Sequence, residues 1–380
     1  MKIGIPTYGC DGGKSGISRY LIELIKAMVD QRGDDIIEVI SLPEERGIFV
    51  SPDQGIEEIC PGGVSPSPPL NILWNLTMLP RLAKKRGYDV LFCPAGNRRL
   101  PWRVGCPVVG TIHDFSWLHM SGKYDAFRTF YLTSVLPRLI SRLDMGLTVS
   151  ESSKRDILAN TTLTDEQIRV TPIAMDHTIY NKDTVLDRAV LSKHAIQGNY
   201  IFYVSRLEHP GKNHQTLIRA FEKLCARQSY DGSLVLVGGD FLGAETVHQL
   251  VNESPVRDRI QLLGFVDTED LPSLFVGADV FVFPSLYEGF GIPILEAMAC
   301  GVPVIASNCS SLPEVGGDAI AYFEPTDADQ LCDRLQSLLG DEDLRQQHIT
   351  AGLARASLFS WQRTAEQTWE VLRNVATPFH

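Results

Sequence analysis

Two hydrophobic patterns alternate along the chain. Short runs that are apolar at nearly every position appear as KIGIPTY (2–8), IIEVISL (36–42), DVLFCP (89–94), PVVGTIHD (107–114) and MGLTVSE (145–151). They appear again as YIFYVSR (200–206), SLVLVGG (233–239), RIQLLGF (259–265), DVFVFPS (279–285) and VPVIAS (302–307). A strand buried on both faces has this look, because neither face needs polar residues. Between the runs lie stretches whose apolar residues recur every three or four positions, such as SRYLIELIKAMVD (18–30), NHQTLIRAFEKLCARQ (213–228) and DADQLCDRLQSLLGD (327–341). That period belongs to helices with one buried face. Strand and helix in alternation predict parallel sheets covered on both sides.

The alternation comes in two blocks, and 380 residues are too many for one ordinary core. A polar, weakly periodic stretch at 175–199 separates the blocks. The expected domains are residues 1–183 and 184–360. A C-terminal segment, 361–380, carries the helix WQRTAEQTWEVLRNVA, expected to pack back on the first domain. PGGVSPSPP (61–69) reads as a loop inside the first domain. No internal repeat is visible in the sequence.

Charge is divided unevenly. Residues 1–183 hold 21 basic and 21 acidic side chains, whereas residues 184–380 hold 14 and 25, which accounts for the whole net charge of −11. An acidic half does not suit nonspecific nucleic-acid binding. No apolar run reaches the roughly 18 residues of a membrane span. The N-terminal run is strand-like and lacks a signal peptide's long apolar region. The eight cysteines are scattered, without metal-ligand spacing. Reduced thiols in the cytoplasm are the expectation.

Four segments carry candidate chemistry. PSLYEGFGIPILEAMACGVP (284–303) places a glycine turn and a helix start between two apolar strands, with Glu288 before the helix and Glu296 one turn into it. Free N–H groups at a helix start favour an anion, and a carboxylate beside them can accept hydroxyl donors from a sugar. In VSRLEHPGKNHQTLIRAF (204–221), Arg206 closes a strand and Lys212 precedes a helix, which suits a diphosphate; His209 and His214 read as solvated loop residues. In GCDGGKSGISRY (9–20) a glycine loop joins strand to helix. It falls short of a P-loop, since Tyr8 stands where the first glycine is required, but Gly16 leaves room for a phosphate or sugar. In GTIHDFSWLH (110–119), His113 and Asp114 end an apolar strand. SESSKRDIL (150–158) reads as a helix start capped by Ser150 or Ser152, with Lys154 as a further candidate, and the pairs Asp327–Asp329 and Asp341–Asp343 read as helix caps. No GxGxxG with an acid about twenty residues on, no GxSxG and no HExxH is present.

Together these segments resemble the retaining glycosyltransferases of family 4, over nearly the whole chain. The most specific mark is the segment from Glu288 to Glu296, with GFGIPILEAMACGVPVIAS (289–307), and Gly16, His113, Arg206, Lys212 and GFV (264–266) match other positions of the family. The resemblance implies a GT-B fold, two Rossmann-like doubly wound parallel-sheet domains facing a deep cleft. It implies that Arg206 and Lys212 bind the diphosphate of a nucleotide sugar, that Glu296 holds the ribose, and that Glu288 with the backbone of Phe290, Gly291 and Ile292 holds the donor sugar. Val266 would line the base pocket, Gly16 would admit the phosphates, and His113 would contact the sugar near its reacting carbon. HDF, KYDAFRTFY and TVSESSKRDI look most like bacterial mannosyltransferases of polysaccharide assembly. GDP-mannose is the favoured donor and a UDP-hexose the second, with neither metal nor further cofactor. The acceptor would be a saccharide on a polyprenyl lipid carrier. The basic clusters Arg81, Lys84, Lys85, Arg86 and Arg98, Arg99, Arg103 would then rest against the inner face of the membrane. The rivals are a GT-B sugar-nucleotide epimerase, a P-loop NTPase and a noncatalytic nucleotide-binding protein.

Overall fold

The computed structural model describes residues 1–13, 15–63, 67–119 and 126–376. The chain divides into two compact units, Met1–Ile173 with Trp361–His380, and Ala174–Ser360. The division falls at 173/174, where the sequence suggested 183/184. The reason is that this linker stretch is partly core: Tyr180 is fully buried and meets Phe275 edge-on inside the second unit.

The first unit is built on β1 (Lys2–Pro6), β2 (Ile36–Ile40), β3 (Glu57–Ile59), β4 (Val90–Cys93), β5 (Val108–Ile112), β6 (Met145–Thr148) and β7 (Ile168–Val170). All neighbours pair in parallel, in the order β3-β2-β1-β4-β5-β6-β7. The second unit holds β8 (Tyr200–Val204), β9 (Ser233–Val237), β10 (Ile260–Gly264), β11 (Val280–Phe283), β12 (Val304–Ser307) and β13 (Ala321–Phe323). Their order is β10-β9-β8-β11-β12-β13, again all parallel. In each sheet the chain starts in the middle, winds outward, then returns and winds the other way. The reversal leaves a crevice at the carboxyl ends of β1 and β4, and of β8 and β11, where doubly wound sheets bind ligands.

The unbroken apolar runs are the central strands, buried from end to end in β4, β5, β11 and β12. Strands β3, β7 and β13 escaped the sequence pattern because each has three residues and only β13 ends on a fully buried side chain. The expected loop at 61–69 is shorter than predicted: Pro68 and Pro69 open the helix Pro68–Arg86, since proline's missing N–H costs nothing in a first turn. Residues 64–66 of that loop, Lys14 of the near P-loop and 123–125 of KYDAFRTFY lie outside the described residues. The helix Trp361–Ala376 belongs to the first unit, where buried Trp369 donates from Nε1 to the Met28 carbonyl at 3.1 Å and Arg373 meets Asp35 at 3.0 Å. Among the described residues no helix is long and apolar enough to cross a membrane.

Candidate functional site

In the second unit the chain leaves β8 as Ser205–Arg206 and reaches the helix His214–Ala226 through a short loop. Gly238, just after β9, makes the close fit of these strand ends possible. Its φ is +146°, and a Cβ there would stand 1.8 Å from the Ser205 carbonyl oxygen. Its N–H donates to Gly264 at the end of β10 (2.8 Å), so the ends of β8, β9 and β10 are tied together. Val266 follows as a buried side chain, beside exposed Phe265.

The Arg206 side chain is 56% exposed, lies over the Phe241 ring at 4.0 Å, and sits 3.3 Å from the carboxylate of buried Glu208. It is a cation held in place with its outer face available. Lys212 is more enclosed. Its Nζ lies 2.6 Å from Glu288 Oε1, joining residues that are 76 positions apart. Asn213 adopts a left-handed conformation (φ 55°) and its amide donates to the carbonyls of Pro284 (2.9 Å) and Pro325 (2.6 Å), pinning the lysine loop to the strap after β11.

That strap, residues 284–291, is fixed by serines. Ser311 Oγ donates to the carbonyls of Glu288 and Phe290, both at 2.9 Å, and Ser310 Oγ accepts from the Glu288 N–H at 3.0 Å. Gly291 turns the chain into the helix Ile292–Ala299 at φ +108°, where a Cβ would meet Leu312 at 2.8 Å. Pro293 occupies the first turn, and Glu296 is buried within the helix. The structure therefore gathers Arg206 and Lys212 on the loop following β8, and Glu288, Phe290, Gly291, Ile292 and Glu296 on the strap and helix following β11, while Val266 follows β10. Ser310 and Ser311 were missed in the sequence. A serine pair directly after an apolar strand, in NCSSLPEV (308–315), was the available signal.

His214 is not a solvated loop residue. It is 1% exposed, packs on the Tyr203 ring at 5.0 Å, and neither ring nitrogen has a hydrogen-bond partner among the described residues. Burial drives its pKa down to about 3, with Lys212 and His209 pushing the same way.

In the first unit His113 follows β5, buried, with Nε2 2.9 Å from the Pro94 carbonyl and its ring edge-on to Tyr20. Burial lowers its pKa to about 4, so it is a neutral hydrogen-bonding group at physiological pH. Gly16 begins the helix Gly16–Asp30, and among the described residues nothing beyond its own chain neighbours and helix backbone lies within 4 Å of where its Cβ would be. Ser150 caps the helix Glu151–Asn160 by accepting from Ser153 N–H. Lys154 does not stand free, since it pairs with Asp165 at 2.8 Å. Asp327 and Asp341 accept from Gln330 and Leu344 N–H as helix caps. The basic clusters are partly internal: Arg86 is bonded to the buried Glu38 carboxylate and to Glu57, and Arg98 to Asp11.

Comparison with known proteins identifies the family. Residues 14–178 match the family model Glycosyltransferase Family 4, and residues 191–355 match Glycosyl transferases group 1. The O-antigen chain mannosyltransferase B of Escherichia coli is 34% identical over 285 residues, 74% of each chain. The serotype-specific mannosyltransferase WbdA of Escherichia coli is 30% identical over 72% of this chain, which spans 33% of that longer protein. Among solved structures, the sucrose-phosphate synthase of Thermosynechococcus elongatus superposes with a TM-score of 0.78 at 19% identity, covering 98% of both chains. The chain belongs to glycosyltransferase family 4, with the GT-B fold and with bacterial mannosyltransferases of O-antigen assembly among its relatives.

Proposed function

We propose that the protein transfers mannose from GDP-mannose to a saccharide acceptor, with retention of anomeric configuration. The observation that carries this reading is the Lys212–Glu288 pair beside Arg206 at the switch point of the second sheet. There Lys212, a cation suited to a diphosphate, touches Glu288, a carboxylate suited to sugar hydroxyls. Departure of the nucleoside diphosphate builds negative charge on its phosphate. Arg206, Lys212 and the helix start at Ile292 would stabilise that charge without a bound metal. Glu296 would accept the ribose hydroxyls, Val266 would line the base pocket and Glu288 would accept hydroxyls of the transferred sugar. In the first unit, Gly16 would admit the phosphates and His113, neutral, would hydrogen bond to the sugar. The acceptor hydroxyl would attack from the face the leaving group departs, with a phosphate oxygen taking its proton.

A thermal-shift screen of sugar nucleotides, followed by transfer assays with the best binder, tests the reading. A saturating donor should raise the melting temperature of the unit it binds. No stabilisation by any nucleoside diphosphate sugar would overturn it, and donor turnover without acceptor would point to an epimerase. Glu296→Ala should weaken nucleotide binding about ten- to a hundredfold, the scale of charge-assisted hydrogen bonds. Calorimetric titration checks this, and an unchanged affinity would remove Glu296 from the ribose.

The acceptor is proposed to be carried on a polyprenyl lipid, with the first unit resting on the inner membrane face. The outer side of the helix Pro68–Arg86 supports this: Leu70, Leu73 and Met78 are exposed, and Arg81, Lys84 and Lys85 follow them. Arg86 is excluded, because it serves the buried Glu38. Replacing Arg81, Lys84 and Lys85 by alanine should reduce binding to anionic vesicles by more than tenfold, at about 1 kcal/mol per cation. Co-sedimentation that stays at the wild-type level would refute the contact.

A further inference from the structure

We infer that Phe241 is a positioning residue for sugar transfer, its ring holding the Arg206 guanidinium in the orientation that receives the diphosphate. This rests on the transferase reading and adds a residue that no motif of the sequence singled out.

Strand pairing delivers the ring. Past the ends of β8 and β9 the two chains stay zipped by backbone bonds. Ser205 N–H donates to the Val237 carbonyl (2.8 Å), Leu207 N–H to Gly239 (3.0 Å), Phe241 N–H back to Leu207 (3.1 Å) and His209 N–H to Leu242 (3.0 Å). Gly243 closes this zipper at φ +75°, where a Cβ would stand 2.9 Å from the His209 carbonyl oxygen, and the helix Ala244–Glu253 follows. The backbones of residues 206 and 241 are therefore held in fixed register. The Arg206 guanidinium lies 4.0 Å over the Phe241 ring, and its Nη2 donates to Oε2 of buried Glu208 at 3.3 Å. Among the described residues these are the two partners of its charge.

The two partners divide the task. Glu208 anchors one edge of the guanidinium fork. The ring covers one face and fixes the plane of the fork, and the rest of the side chain is open to solvent. A free arginine samples many rotamers, and ordering them at the moment of binding costs affinity. A ring that orders them beforehand spares that cost. Packing alone does not account for the ring. The core of this corner is Leu207, Ala244 and Val247, with Leu262 against it. Phe241 lies outside that cluster and is 39% exposed. At such a rim an aromatic ring contributes what an aliphatic side chain cannot, a negative face turned to a cation.

Calorimetric titration of the full chain tests this, with GDP, or with UDP where UDP binds wild type more tightly. Phe241→Leu keeps an apolar side chain against the arginine stem and removes the ring face. It should weaken nucleoside diphosphate binding about three- to tenfold, and lower kcat/KM for the donor at least as much. The melting temperature without ligand should stay the same. Phe241→Trp, which offers the strongest ring face for a cation, should bind as wild type does. In an Arg206→Gln background, Phe241→Leu should cost nothing further, because no charge remains for the ring to hold. Losses that simply add in the double variant, or a loss that tryptophan does not restore, would mean that the ring acts through the fold or on the ligand directly, and would overturn the inference. So would an unchanged affinity in Phe241→Leu beside a weakened Arg206→Gln. Should Phe241→Leu not fold, Phe241→Met repeats the test. An Arg206→Gln that binds as wild type does, or a wild type that binds neither nucleotide, would instead refute the donor reading beneath the inference, and these two titrations detect that separately.

Discussion

Glu288→Gln should lower sugar transfer about a hundred- to a thousandfold, the scale for removing one group aimed at the reacting centre. Affinity for the nucleoside diphosphate should stay the same or rise slightly. The asymmetry follows from the ion pair. Lys212 Nζ sits 2.6 Å from Glu288 Oε1, and the side chains are 19% and 16% exposed, so the carboxylate neutralises much of the field that Lys212 offers an incoming phosphate. Glutamine keeps the shape and removes the charge. Lys212 is then freer for the phosphate, whereas the sugar loses its charged acceptor. Lys212→Met should behave in the opposite way and weaken nucleoside diphosphate binding along with transfer. Single-turnover transfer and calorimetric binding on both variants separate the roles. Parallel loss of binding and transfer in Glu288→Gln would mean that Glu288 merely positions Lys212. An unchanged rate would remove it from the sugar.

That pair also shows where sequence reading stops. Each half of it was legible, because Lys212 precedes a helix pattern and Glu288 sits in a glycine turn between apolar strands. The contact between residues 76 positions apart has no local signature. The central strands were legible for a similar local reason: burial on both faces leaves β4, β5, β11 and β12 apolar throughout. The edge strands β3, β7 and β13 are too short to show any period. The helix Pro68–Arg86 was masked by its opening prolines, and Asn71 and Asn75 sit on its buried side, where apolar residues were expected. The sequence shows no repeat, yet the two sheets share one winding order, since topology depends on the hydrophobic pattern and not on residue identity. Arg99 looked like one more surface cation. Its Nε partner, Asn71, comes from the helix Pro68–Arg86, which only the fold brings near.

Mild acid should destabilise both units, through His113 in one and His214 in the other. In the folded protein burial lowers the pKa of His113 to about 4 and that of His214 to about 3. In the unfolded chain both return to about 6.5. Below that pH the unfolded chain takes up protons that the folded units refuse. The stability is therefore fully present above pH 6.5 and is lost as pH falls toward 4. Each tenfold drop in proton affinity is worth about 1.4 kcal/mol, so the loss approaches roughly 3 kcal/mol for His113 and somewhat more for His214, as upper bounds. Glu45 and Asp279, whose pKa values burial raises, act in the opposite sense at the acid end of this range. His214→Leu isolates one contribution, because leucine fills the space against Tyr203 without a group to protonate. Calorimetric melts from about pH 7.5 to about pH 5, a window spanning the unfolded-state value, should show a flatter pH dependence for the second unit's transition in this variant, and an unaltered slope would refute the assignment. The consequence reaches the site. His214 begins the helix that follows Lys212, and Tyr203, on which its ring packs, donates its hydroxyl to the Lys212 carbonyl at 2.8 Å. Because the folded imidazole stays neutral across this window, the surroundings of Lys212 do not change with pH, so donor affinity in the folded parent should hold and match that of His214→Leu.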